Sequence, residues 1–146
     1  LHVPFIINQN RYSIFDRTIE SNGLKDTAAR LHKGIITFSP LAQGLLTDRY
    51  LHGIPADSRV HTDGRFLKET DLTPEMLAKI RALNEMAAAR GQTLAEMALA
   101  WLLSHEEITT VLIGASKTQQ ILDNIKAVQN TSFTAEELAE IDKISK

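Results

Sequence analysis

Cysteine is absent from these 146 residues. That one absence removes disulfides, thiolate metal sites and cysteine nucleophiles together, and makes a cytoplasmic setting the default expectation. Charge of one sign is lacking too: 16 Lys and Arg stand against 18 Asp and Glu, a net charge of −2, with a pI near 6.2. A general nucleic-acid or membrane-surface role needs a basic stripe, so neither partner is expected. No apolar run approaches the ~18–20 residues of a membrane span, and the opening residues carry no signal-peptide pattern. The five histidines show no H-x3-H spacing, so no metal site is expected. Ser39 does not sit in a G-x-S-x-G elbow, which argues against a serine hydrolase. Neither G-x-G-x-x-G nor a Walker motif occurs, and the pairs Glu106-Glu107 and Glu136-Glu137 read as solvated faces.

What is present suffices for one domain. An apolar content of 43% supports a core that buries on the order of two-thirds of the unfolded surface. Val3 to Asn8 reads as a strand. Asp16 to His32 reads as helical, broken near Asn22-Gly23, and Gly34 to Phe38 is a second strand. A long polar loop runs from about Tyr50 to Asp71, a length that suggests a function. Thr73 then caps a helix with Pro74 at its first position, and the helix stops at Gly91. Thr93 and Glu96 form a capping box for the next helix, whose Leu94, Met97, Ala98, Trp101 and Leu102 make one buried face. A third strand covers about Thr109 to Ile113. A helix with Ile121, Leu122, Ile125 and Val128 follows, and Thr134 with Glu137 opens a last one.

The strands carry apolar runs (Phe5-Ile6-Ile7, Ile35-Ile36, Val111-Leu112-Ile113), as expected for parallel strands covered on both sides. Strand–helix units joined by helix-length crossovers mean a parallel sheet. Such units fit a small open sheet or part of an eight-stranded barrel. A complete barrel needs about 250 residues, and a free three-stranded sheet would leave both edges open. The expected fold is therefore α/β, a partial (β/α)8 barrel. The start at Leu1-His2-Val3-Pro4, without methionine and already entering an apolar run, adds the expectation that the left side of the protein is missing.

Two loops concentrate the chemistry. Ser39-Pro40-Leu41-Ala42-Gln43-Gly44 follows the second strand, and Ile113-Gly114-Ala115-Ser116-Lys117 follows the third. A Gly/Ser-rich turn from strand to helix is a natural seat for a phosphate. Gly114 admits a close backbone approach, Ser116 offers a hydroxyl and Lys117 a cation; equally, Ser116 is simply a helix cap. Ser39-Pro40 and Gly44 can be ordinary turn residues, Phe38 can be core or can stack on a planar ring, and Gln9 offers an amide just past the first strand.

Gln9, the run from Phe38 to Tyr50, Gly53-Ile54-Pro55 with Ser58-Arg59, and Ile113-Gly114-Ala115-Ser116 with Gln120, Asp123 and Asn124 resemble, in order and spacing, the C-terminal half of an aldo-keto reductase. The similarity is to the branch holding bacterial glyceraldehyde-3-phosphate-type reductases and potassium-channel β subunits, and it covers residues 1–146. It implies the last three βα units and the closing helix of one barrel domain, an NADP cofactor, and hydride transfer to a small aldehyde or ketone. Gln9 would hold the nicotinamide carboxamide and Phe38 would stack on its ring. Ser39, Pro40, Leu41, Ala42 and Gln43, with Gly44 in the same loop and Arg49 beyond it, would wrap the pyrophosphate. Arg59 would lie near the adenosine, although Asp57 stands where relatives carry an aromatic. Gly114, Ser116, Lys117 and Gln120 would surround the 2′-phosphate, and Asp123 with Asn124 would bind the adenine. Asp123 is one methylene shorter than the glutamate often found there. The family's catalytic Asp, Tyr, Lys and His belong to the first half of the barrel. Tyr12 and Tyr50 lie in the wrong context to replace the tyrosine, so no catalytic residue is assigned and the chain alone is expected to be inactive. The alternatives are a regulatory nucleotide-binding module, another phosphate-binding barrel, or an inactive remnant; homo-oligomerisation stays open.

Overall fold

The computed structural model describes residues 4–55, 58 and 67–146. Its centre is a three-stranded parallel sheet in the order β1-β2-β3, built from β1 (Ile7–Arg11), β2 (Gly34–Phe38) and β3 (Ile108–Val111). Gly34 pairs with Ile7, and Phe38 with Arg11; on the other side Ile36 pairs with Thr110 and Thr37 with Val111. Gly34 has to be small. A Cβ there would lie 2.4 Å from the Thr109 hydroxyl oxygen and 3.2 Å from the Ile7 side chain, closer than packed atoms allow.

Between β1 and β2 lie α1 (Thr18–Ser21) and α2 (Leu24–Arg30), so the break expected near Asn22-Gly23 is present. Between β2 and β3 come short 3-10 turns at Ala42–Gly44, Asp48–Tyr50 and Glu69–Asp71, then α3 (Pro74–Ala89) and α4 (Leu94–Leu103). After β3 follow α5 (Thr118–Asn124), a 3-10 stretch Ile125–Gln129 and α6 (Ala135–Ser145). The caps stand where the sequence signals them: Thr73 accepts from the Met76 amide, and Thr93–Glu96 and Thr134–Glu137 form reciprocal boxes.

Four expectations need correction. Val3, where the first strand was expected to begin, lies outside the described residues; among those described the strand starts at Ile7, where pairing with β2 begins, and runs on to Arg11 instead of ending at Asn8, while Phe5 and Ile6 precede it and are exposed. Gln9 therefore stands inside β1 and not past its end. The third strand is Ile108–Val111 instead of Thr109 to Ile113. Finally, the sheet is covered on one side, not both. Ile35 and Thr37 of β2 are fully buried, whereas Leu112 just past β3 is 45% exposed.

The covered side packs on α4, which is buried almost all round: Leu94 and every residue from Glu96 to Leu102. One face meets the main core around Trp101, Ile80, Leu83 and Ile141; Leu99 and Ala100 turn to a second cluster with Ala127. A helix apolar around its whole circumference needs partners on every side, which is why the single buried face read from the sequence understates it.

Candidate functional site

Side chains alternate across a strand, so paired residues share a face. The register puts Gln9 beside Ile36 and Thr110, and Arg11 beside Phe38, on the uncovered side of the sheet. Gln9 is exposed and Phe38 half-buried. Because all three strands run parallel, the segments leaving their C-terminal ends emerge along one edge.

Two of those segments touch the same core. Leu41, from the loop after β2, and Ile113, from the loop after β3, both pack on the cluster of Leu99, Ala100 and Ala127. The first loop has an unusual backbone: Ser39, Ala42 and Gln43 have φ of 55°, 47° and 62°, and Gly44 has 101°. Left-handed non-glycine residues cost about 1–3 kcal/mol each and persist where the surroundings impose them, commonly at ligand clamps. Gln43 Nε2 donates to Ser39 Oγ at 3.1 Å, the Gly44 amide donates to the Leu41 carbonyl and the Leu46 amide to the same oxygen. Pro40 is buried and anchors the turn. Thr47 closes the loop, donating to the Gly44 carbonyl at 2.7 Å and accepting from the Arg49 amide. Arg49 is half-buried in the following 3-10 turn, above the buried Tyr50.

The second loop is exposed at Gly114, Ser116 and Lys117. Lys117 stands at the N-cap of the helix that follows, but neither its side chain nor that of Ser116 caps it. Gln120 Oε1 turns back and accepts from the Ser116 amide at 2.8 Å and the Lys117 amide at 3.2 Å, with the Ser116 hydroxyl at 3.3 Å. Ser116 is thus freed from the capping role. Asp123 accepts from Lys126 Nζ at 2.8 Å and Gln119 Nε2 at 3.0 Å; these two bonds hold its carboxyl below the usual carboxylate range. Asn124 is buried beneath it. Arg59 and Asp57 lie outside the described residues.

Tyr12 and Tyr50 are both buried. The Tyr12 hydroxyl donates to Glu20, and burial, reinforced by that bond, pushes the phenol far above its ordinary value. Buried, and with its proton held by Glu20, this hydroxyl is not presented to a substrate. Among the described residues no His, Asp and Glu cluster is placed to hold a metal, and no helix is long and apolar enough to cross a membrane. A cavity of about 310 Å³ lies beside Tyr50, His52 and Leu72, and a smaller one of about 110 Å³ beside Phe5 and Leu24. Neither is lined by Gln9, Phe38 or the second loop; those residues border an open face and not an enclosed hole.

The arrangement is an uncovered strand face carrying an amide and an aromatic ring, flanked by a constrained loop and a basic one. A model of the aldo/keto reductase family matches residues 1–146, and the chain belongs to that family. It is 48% identical over 146 residues to L-glyceraldehyde 3-phosphate reductase of Escherichia coli O157:H7, covering 97% of this chain and 42% of that protein. It is 34% identical over 141 residues to a probable voltage-gated potassium channel subunit beta of Oryza sativa subsp. japonica, covering 95% of this chain and again 42% of that protein. A thermostable aldo-keto reductase crystallised with the inhibitor epalrestat shares the fold with a TM-score of 0.68 at 22% identity, over 98% of this chain and 41% of that one. The chain therefore spans less than half the length of these relatives.

Sequence reasoning missed Arg11. Placing the strand too early hid the alternation that sets Arg11 two residues beyond Gln9 on the same face.

Proposed function

We propose that residues 1–146 are the C-terminal, cofactor-binding portion of an NADP-dependent aldo-keto reductase acting on a small aldehyde or ketone in the cytoplasm. In this reading they form the last three βα units and closing helix of a (β/α)8 barrel. One observation carries it: Gln9 and Phe38 share the uncovered face of a parallel sheet, and the loops after β2 and β3 meet over one core cluster at its edge. Gln9 holds the carboxamide, Phe38 stacks on the ring, and residues 39–44 with Arg49 enclose the pyrophosphate. When bound, the cofactor supplies the hydride; these residues bind and orient it.

The residues fit the cofactor, with one adjustment at the 2′-phosphate. Gln120 already occupies the Ser116 and Lys117 amides, so the phosphate contacts fall first to the Lys117 ammonium and the Ser116 hydroxyl, beside Gly114. Gln120 then turns outward to join them. Asp123 and Asn124 serve the adenine, and Arg59 the adenosine by resemblance alone. The proton donor and its partners belong, in the family, to the preceding half, and no residue here takes that role. The name of the Escherichia coli relative makes a small phosphorylated aldehyde the first candidate substrate.

Fluorescence titration with NADPH and NADH tests this. A charge-assisted contact contributes about 1.5–3 kcal/mol, so Lys117→Glu is expected to weaken NADPH at least about tenfold while changing NADH little. Equal losses for both would make Lys117 a bystander, and NADPH binding no tighter than NADH would remove the 2′-phosphate assignment. A second reading, a nucleotide-sensing regulatory module, is favoured by the likeness to the rice channel subunit. Carbonyl-dependent NADPH oxidation by a full-length protein bearing these residues separates the two, and failure to bind either nucleotide would mark an inactive remnant.

A further inference from the structure

Among the described residues three arginines lie near aromatic rings, and their distances sort them by role. Arg90 lies 3.8 Å from the centre of the Phe133 ring and 2.6 Å from Glu137, with its side chain 6% exposed. Arg17 lies 4.2 Å from the Trp101 ring and contacts Glu20 at 2.8 Å and Asp142 at 2.7 Å. Both are consumed by structural pairing. Arg11 differs. Its guanidinium is 5.9 Å from the Phe38 ring centre, at the outer limit of a cation–π contact, so it stands beside the ring.

Its ion pair is equally loose. Arg11 Nε is 4.0 Å from Asp16 Oδ2, and its side chain is 54% exposed. Asp16 is engaged elsewhere, accepting through Oδ1 from the Thr18 amide at 3.2 Å and the Thr18 hydroxyl at 2.8 Å. Among the described residues neither terminal nitrogen of Arg11 has a hydrogen-bond or ion-pair partner. Those two nitrogens form the fork that grips a phosphate or carboxylate side by side. The fork lies on the same sheet face as Gln9 and opposite Phe38, the pair assigned to the nicotinamide.

We propose that Arg11 is a specificity-determining residue that holds the phosphate of a phosphorylated carbonyl substrate beside the nicotinamide ring. The inference rests on the cofactor reading above. It gives a role to a weakly hydrated guanidinium that stands on an uncovered strand face with its fork unpaired among the described residues. A neutral carbonyl would leave the fork in water and gain nothing from it.

The test uses the 146-residue chain labelled with nitrogen-15, first titrated with NADPH and then, saturated with NADP, with glyceraldehyde 3-phosphate, glyceraldehyde or inorganic phosphate. The phosphorylated aldehyde is expected to bind about tenfold tighter than the neutral one, shifting the amides of Gln9, Arg11 and Phe38. Arg11→Gln should abolish that preference and Arg11→Lys should restore part of it. Far-ultraviolet circular dichroism verifies that both variants fold. Equal affinity for the two aldehydes with NADPH binding intact would overturn the inference alone. Inorganic phosphate binding as tightly as the phosphorylated aldehyde would also overturn it, by showing a plain anion site. Absence of NADPH binding would remove the cofactor reading and this inference with it.

Discussion

His105 is the residue whose protonation the fold opposes most clearly. It packs edge-on against Trp101 at 4.5 Å and beside Tyr12 at 5.7 Å, and its Nε2 is buried with no hydrogen-bond partner among the described residues. Burial first, then the Lys25 and Arg17 cations, lower the imidazole from 6.5 to about 4, against the opposing pull of Glu20 and Glu107. The unfolded chain takes up this proton near pH 6.5 and the folded chain only near pH 4. Between those values the unfolded state holds more protons, so stability falls as pH falls, by on the order of 3 kcal/mol across the window. Above that window both states are neutral at His105 and the effect vanishes. His105→Phe keeps the ring contacts and removes the buried, unpaired nitrogen. It is expected to be neutral or stabilising at pH 7 and to flatten the loss between about pH 6.5 and 4, measured by urea unfolding across that range. A loss between pH 6.5 and 4 that the substitution leaves unchanged would remove His105 as its cause. Glu20 and Asp142 act at lower pH: burial raises both, but the Tyr12 and Arg17 contacts of Glu20 and the Lys146 and Arg17 contacts of Asp142 outweigh it, so their contribution is lost only as the pH falls below the ordinary values of 4.5 and 3.8.

Two helices end in the same way with different residues, and the comparison sets a prediction for the elements. After α3, Gly91 has φ 69°, its amide donates to the Ala88 carbonyl and the Gln92 amide to Ala87. After α2, His32 has φ 52°, its amide donates to the Ala29 carbonyl and the Lys33 amide to Ala28. Both are Schellman endings, which favour glycine at the left-handed position. His32→Gly should therefore stabilise the chain by about 1 kcal/mol and Gly91→Ala destabilise it by about 1–2 kcal/mol, as read from denaturant midpoints at constant slope. Changes of the same sign would contradict the shared geometry. Signals of this kind were legible in the sequence because they are local: Gly91 as a stop, Thr73-Pro74 as a start, and the Thr93–Glu96 and Thr134–Glu137 boxes need no knowledge of the rest of the molecule. The first strand was not. Its residues Ile7 to Arg11 carry little hydrophobic signal, and its limits are set by where β2 begins to pair at Gly34, which is tertiary information. The apolar Phe5-Ile6 drew the expected strand toward the N-terminus, although both side chains remain exposed. The end of α2 near His32 was legible, but its left-handed geometry was not, because histidine signals that conformation far more weakly than glycine does.

At the scale of the molecule, the candidate site was legible as a set of loops and illegible as a surface. The motifs around Ser39 and Ser116 announce two strand ends, and the parallel order puts them on one edge. That the face between them would be bare could not be read from apolar runs, which suggest cover on both sides. Leu112 is 45% exposed, Ile121 45%, Leu122 48%, Ile125 54% and Val128 66%, and Ile6, ahead of the other edge strand, reaches 82%. Exposed large apolar side chains in this number favour contact with another polypeptide, and β1 and β3 each have one unpaired edge in the described sheet. The 146-residue chain is therefore expected to self-associate in solution, with a sedimentation coefficient that rises with concentration. Ile6→Lys with Val128→Glu places charge at two widely separated exposed points without touching the buried core, so it should shift the chain toward the monomer, leave its far-ultraviolet circular dichroism unchanged and remove the dependence of its thermal midpoint on concentration. A wild-type chain that sediments as a monomer at every concentration would show that these side chains tolerate water unaided. Association that survives the double substitution would move the contact to the β1 or β3 edge, where backbone pairing and not aliphatic burial would drive it.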